Sequence, residues 1–145
     1  MQHFRRVTSD RRGFTLIELV IIIAVLGIIA AVAIPKYVDM VSEAKESACK
    51  GALGGLRSAI SIYYAKTALE SGTATWPPMD SLTTEGVVMA QTVPPNPYQG
   101  DDAAPDSVVT GVTKGTTVGN RGGWAYNDST GQIWPNTEVN GENNW

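Results

Sequence analysis

Between Phe14 and Ile34 the chain runs for 21 residues with a single charge, Glu18. As a helix this run spans roughly 32 Å at about 1.5 Å per residue, enough for a hydrocarbon core of about 30 Å. Arg5, Arg6, Arg11 and Arg12 precede it against Asp10, and only Lys36 follows closely. Basic residues stay on the cytoplasmic side of a membrane, so the chain after the run is expected on the far side. One apolar rod of this length, in a chain of 145 residues, leaves room for one further domain of modest core.

Three readings of the run compete. Ala31-Val32-Ala33 fits the small-x-small pattern of a cleaved secretory signal, although the apolar stretch is long for one. A plain membrane anchor is the second. The third places a cut between Gly13 and Phe14, on the cytoplasmic side and ahead of the apolar run. Glu18 separates them. A carboxylate costs about 2.5–3.5 kcal/mol at the centre of a membrane helix, and less near the interface, so it needs a purpose. A chain beginning at Phe14 would set a cationic amine one turn from that carboxylate. The positive end of the helix dipole lies there too.

Gly13-Phe14-Thr15-Leu16-Ile17-Glu18, with arginines before and an apolar run after, resembles the processing motif of type IV pilins and type II secretion pseudopilins. Pro35-Lys36-Tyr37 is similar to the same family. The strong similarity covers about residues 12–65. It implies an α+β fold: a long N-terminal helix, apolar and protruding in its first half, packed in its second half on a small antiparallel-sheet head. It implies that a prepilin peptidase cuts after Gly13 and methylates the Phe14 amine. It further implies that Glu18 of one subunit neutralises the Phe14 amine of a neighbour. The segment between Gly27 and Pro35 can lose helical order on assembly in such filaments. The implied partners are further copies of the chain, the peptidase, an inner-membrane assembly machinery and, before assembly, the lipid bilayer. The implied locations are the cytoplasmic membrane and then either an extracellular pilus or a periplasmic pseudopilus.

The implied division is a leader over 1–13, an apolar helix over 14–35, an amphipathic half over 36–70 and a head over 71–145. After Pro35, the residues Val41, Ala44, Ala48, Ala52, Leu56, Ile60, Tyr63 and Thr67 recur at helical spacing and are expected to form the packed face. One helix from Phe14 to about Leu69 would be roughly 84 Å long at about 1.5 Å per residue, with a kink at Pro35. Gly51, Gly54 and Gly55 weaken it by about 1 kcal/mol each but permit close backbone approach. Cys49 is expected as a small buried hydrophobe.

Ser71-Gly72 ends the helix pattern. Trp76-Pro77-Pro78 and Val93-Pro94-Pro95-Asn96-Pro97 read as rigid loops. Thr83 to Ala90 is expected as a short helix. Strands are expected over Ser107–Val112, Thr116–Val118, Trp124–Asn127 and Gln132–Trp134, the last two joined by Asp128-Ser129-Thr130-Gly131. Trp124 and Tyr126 should share a face, with Ile133 against the helix. The tail from Thr137 to Trp145 reads as polar and loose.

Chemistry is limited by what is missing. One histidine, His3, sits in the leader, and one cysteine excludes an internal disulfide. Histidine-dependent catalysis and Cys/His zinc sites are nearly excluded, and no phosphate-binding glycine motif appears. The chain after residue 13 carries −6, against +3 before it, which argues against nucleic acid as a partner. No cofactor is expected, save that Asp101, Asp102 and Asp106, with Asn127 and Asp128, offer oxygen ligands of the kind calcium takes. A structural subunit of a filament is therefore the expected role, a surface pilus or alternatively a secretion pseudopilus.

Overall fold

The computed structural model describes residues 13–145. The expected leader, apart from Gly13, lies outside them. The described chain forms two compact units, divided between Met40 and Val41.

The first unit is helical. Helix α1, Leu16–Ser71, begins here and continues through Pro35. Thr15 opens it: its Oγ1 accepts the Glu18 N–H at 3.3 Å, and its carbonyl takes the first helical bond, from the Leu19 N–H. A threonine ahead of the first turn satisfies a donor that has no partner within the helix. Among the described residues α1 is the helix long and apolar enough to cross a membrane, and none of its most apolar 18-residue window is buried. Ile17, Leu19, Ile23, Leu26, Ile28, Ile29 and Val32 are all exposed.

The second unit is built on the later turns of α1. Its core joins Cys49, Leu53, Leu56 and Ile60 of α1 to Leu82, Val93, Trp124, Tyr126 and Ile133. This stripe differs from the expected one. Leu56 and Ile60 hold, but Ala44 and Ala48 are exposed, and Cys49 and Leu53 take their place. Both alternatives run at three- and four-residue spacing; the larger Leu53 side chain decides which edge of the helix is buried. No atom lies within 4 Å of where a Cβ at Gly51, Gly54 or Gly55 would be, so these glycines make no close approach within the chain. The helix ends at Ser71, and Gly72 follows at φ +73°.

Helix α2 covers Met79–Thr83, not 83–90. Pro78 precedes it with φ −64°, and the hydroxyls of Thr83 and Thr84 bond back to the Asp80 carbonyl. Those bonds compete with helix extension. Residues beyond turn back on themselves, with the Gly86 N–H on the Met89 carbonyl at 2.7 Å.

The sheet has three strands in the order β1 (Val108–Thr110), β2 (Trp124–Asn127), β3 (Gln132–Pro135). β2 and β3 are the expected antiparallel hairpin, with Tyr126 opposite Ile133. β1 runs parallel to β2, so the sheet is mixed and the expected all-antiparallel pairing holds for one pair of the two. Residues 116–118 form no strand: Trp134 Nε1 donates to the Thr116 carbonyl at 2.8 Å, and the Asn136 side chain binds both polar groups of the Val118 backbone. Side chains replace a ladder there. On the sheet face that carries Trp134, the indole lies over Gly111, where a Cβ would stand 2.5 Å from the ring.

Polar side chains tie the loops together. Asn96 Nδ2 donates to Gly123 O and Thr137 Oγ1, while its Oδ1 accepts the Tyr98 N–H. Trp124 Nε1 donates to Pro94 O and the Tyr126 hydroxyl to Pro77 O, both at proline-rich turns. The tail is not loose: Thr137, Glu142 and Asn143 are buried. A 3-10 turn, Glu142–Asn144, packs against β3.

Candidate functional site

The sequence-predicted site residues fall along the first unit. Gly13 is exposed, with nothing within 4 Å of where a Cβ would be. Gly13 and Phe14 lie ahead of α1 in exposed backbone with no regular secondary structure. Phe14 is 77% exposed. Glu18 is exposed in the first turn of α1. It shares that turn with the free N–H groups of the helix start, the positive end of the peptide dipoles. Gly13, Phe14 and Glu18 are thus brought together at one helix end. Gly27 lies further along, with open space around it, and Pro35 lies inside the same helix.

Thr15 is the residue that sequence reasoning missed. Thr15-Leu16-Ile17-Glu18 has the spacing of a capping box, and the threonine half of that box is formed. The signal was present as a threonine three residues ahead of a glutamate. Glu18 thus stands at the third position of the box, with its backbone N–H on the Thr15 hydroxyl.

The acidic loop residues lie in two places. Asp101 and Asp102 lie exposed in a 3-10 turn, Asp101–Ala103. Asp106 is exposed nearby, and Asp101 and Asp106 rim one pocket of about 480 Å³. Asp128 sits in the β2–β3 turn instead, where its carboxylate accepts from the Ser129 hydroxyl at 3.4 Å. Among the described residues no three Asp, Glu, His or Cys side chains group in a way that would hold an ion.

Cys49, Glu142 and Tyr126 are titratable groups held in the packed interior of the second unit. Burial pushes the Cys49 thiol up to about 11, and the charge of Glu142 adds to it. Its Sγ faces Asn96 Oδ1 at 3.7 Å. Burial alone would raise the Glu142 carboxyl, but hydrogen bonds from the Thr137 hydroxyl and from the backbone N–H groups of Asn140 and Val139 hold it below its ordinary value. Burial, with the nearby charge of Asp128, pushes Tyr126 up to about 12. These groups are fixed and withdrawn from solvent.

Comparison with known proteins bears on the same N-terminal segment. Residues 8–34 match the family model described as the prokaryotic N-terminal methylation motif. The chain is similar to the fimbrial protein EcpC of Eikenella corrodens, 48% identical over 54 residues, or 37% of this chain and 35% of that protein. It is 37% identical over 108 residues to a type IV major pilin protein PilE1 of Neisseria gonorrhoeae, covering 74% of this chain and 58% of that one. A fimbrial protein of Neisseria meningitidis is 48% identical over 54 residues, covering 37% of this chain and 32% of that protein. The chain thus spans between about a third and three-fifths of the length of these curated relatives. No solved structure matches it.

Proposed function

Since the chain belongs to the type IV pilin family, we propose that it is the subunit of a pilus-like filament, made by cleavage after Gly13 and polymerisation of the remainder. The observation that carries this reading is the apolar start of α1, exposed throughout, with one acid in its first turn. Burial of apolar surface is worth roughly 25 cal/mol per Å², so such a helix is stable only when something covers it. Lipid covers it first and copies of the same segment afterwards. Removal of residues 1–13 takes away +3 and creates the Phe14 amine, which becomes the partner of a neighbour's Glu18. A buried carboxylate without a cation is costly, so this pairing also sets how far one copy advances past the next. The relatives matched are pilins and fimbrial proteins, which favours a surface filament over a secretion pseudopilus. The role is structural.

Intact-mass measurement of the assembled protein tests the first step: a chain starting at a methylated Phe14 is expected, and one starting at Met1 or after Ala33 overturns the reading. The second step is tested by Glu18→Ala, which should be cleaved normally yet give no filaments. Abundant normal filaments from that variant would remove the register role.

A further inference from the structure

The second unit is acidic: residues 41–145 hold six lysines and arginines against eleven aspartates and glutamates. Among the described residues, two of those cations are spent on ion pairs within α1, Lys50 with Glu46 and Lys66 with Glu70. Arg57 and Lys114 are in no such pair, and they converge. Both line a pocket of about 330 Å³ together with Ser61, Trp76, Thr130 and Gln132.

Both cations stand on anchored backbone. Arg57 Nη2 donates to the main-chain oxygens of Ile133 and Trp145, at 3.3 and 2.5 Å. Lys114 lies in the turn closed by the Thr116 N–H on Thr113 O. Asn143 Nδ2 pins that turn at Gly115 O, and Trp134 Nε1 pins it at Thr116 O, both at 2.8 Å. The Trp76 ring has Tyr64 stacked on it at 3.9 Å and Gly131 against it, so it offers little face for stacking a ligand. What the pocket offers is the positive charge of Arg57 and Lys114 beside the Thr130 hydroxyl and the Gln132 amide, which suits a carboxylate.

The acids that would answer it face another way. Arg57 and Ser61 lie on one flank of the buried stripe of α1; Gly55, Ala59 and Ile62 lie on the other, at about 3.6 residues per turn. On that second flank Gln91 and Pro94 line a groove with Ala59 and Ile62. The adjoining Thr92, Val93 and Pro95 line the pocket rimmed by Asp101 and Asp106. A copy therefore carries a cationic pocket on one flank and an exposed acidic loop toward the other.

We infer that the Arg57–Lys114 pocket of one copy receives the Asp101–Asp106 loop of the next, a head-to-tail contact between second units. Two different patches on opposite flanks make a heterologous contact, which gives an open helix whenever its rotation does not close a ring. Such a contact also relieves the repulsion that stacking acidic copies would bring. The inference rests on the filament reading and names a contact that reading leaves open.

The test is charge exchange in the full chain: Lys114→Glu alone, Asp101→Lys with Asp102→Lys, and the three together. Immunoblots of the membrane-held precursor check that each variant accumulates, and Lys114→Ala serves as a milder second variant. Each reversal should cut filament yield by about tenfold or more, Lys114→Ala by less, and the combination should recover most of it, since like charges placed opposite one another cost several kcal/mol. Wild-type filaments should shed subunits more readily at about 1 M salt than at 0.1 M. Lys114→Glu filaments equal to wild type in yield and salt resistance would overturn the contact. So would a reversal that harms assembly and is not rescued by its partner, since the pocket would then serve some other anion. Absence of filaments from the wild-type chain would instead strike at the filament reading itself.

Discussion

A Cβ on Gly131 would stand 2.2 Å from Cε3 of Trp76. The two residues belong to different layers: Gly131 ends the β2–β3 turn, while Trp76 follows α1 and stacks on its Tyr64. Gly131 has φ +69°, and its N–H returns to the Asn127 carbonyl at 2.8 Å. The turn can therefore lie flat on the indole, and through it the hairpin is keyed to the helix.

Gly131→Ala meets both a left-handed backbone and an aromatic ring. It is expected to destabilise the second unit by about 2–4 kcal/mol, combining backbone strain with overpacking. Thermal unfolding of the full chain in detergent, followed by tryptophan fluorescence, reads this. A midpoint within a degree of wild type would contradict the keyed arrangement.

Glu142 gives the fold a dependence on acid. Its carboxyl is fully buried and held below the ordinary 4.5 by the Thr137 hydroxyl and the backbone N–H groups of Asn140, Val139 and Glu142 itself, which outweigh the effect of burial. A carboxyl with a lowered value in the folded state contributes its stability above the unfolded value, and that contribution fades as pH falls through the folded value. Glu142→Gln should therefore cost about 2 kcal/mol at neutral pH, the worth of hydrogen bonds to a charged acceptor. The gap between wild type and variant should narrow below pH 4. A gap that is constant from pH 7 to pH 3 would show that the charge is immaterial.

Cys49 reports on integrity of the same region. With its thiol pushed up to about 11 from 9.0, its thiolate population is lower by roughly two orders of magnitude, and no part of the residue is exposed. Alkylation at pH 8 should leave the folded chain unmodified for hours and label it fully in denaturant, as seen by mass. Rapid labelling of the folded chain would mean that the tail opens readily over Cys49.

Much of this was legible in the residues. The apolar run, the acid at Glu18 and the glycine before Phe14 follow from composition along a short stretch and need no tertiary information. The same holds for β2 and β3, where Trp124, Tyr126 and Ile133 alternate with period two around a turn ending in glycine. What escaped was set by distance along the chain. Leu53 rather than Ala48 is buried because Trp124, Tyr126 and Ile133 arrive on that side, and helical spacing alone permits either edge. The pairing of β1 with β2 depends on a crossover of irregular chain, whose ties are asparagine and tryptophan side chains rather than a repeating pattern. The tail read as loose because the partners that hold Glu142, the N–H groups of Val139 and Asn140, become available only when the tail folds back on itself.

The core stripe of α1 also has a consequence in time. Translation delivers Cys49, Leu53, Leu56 and Ile60 early, and the residues that cover them, Leu82, Val93, Trp124, Tyr126 and Ile133, later. Until the later residues are made, this ridge of α1 has nothing of its own chain to cover it, so the second unit closes only once the hairpin of Trp124, Tyr126 and Ile133 has been added.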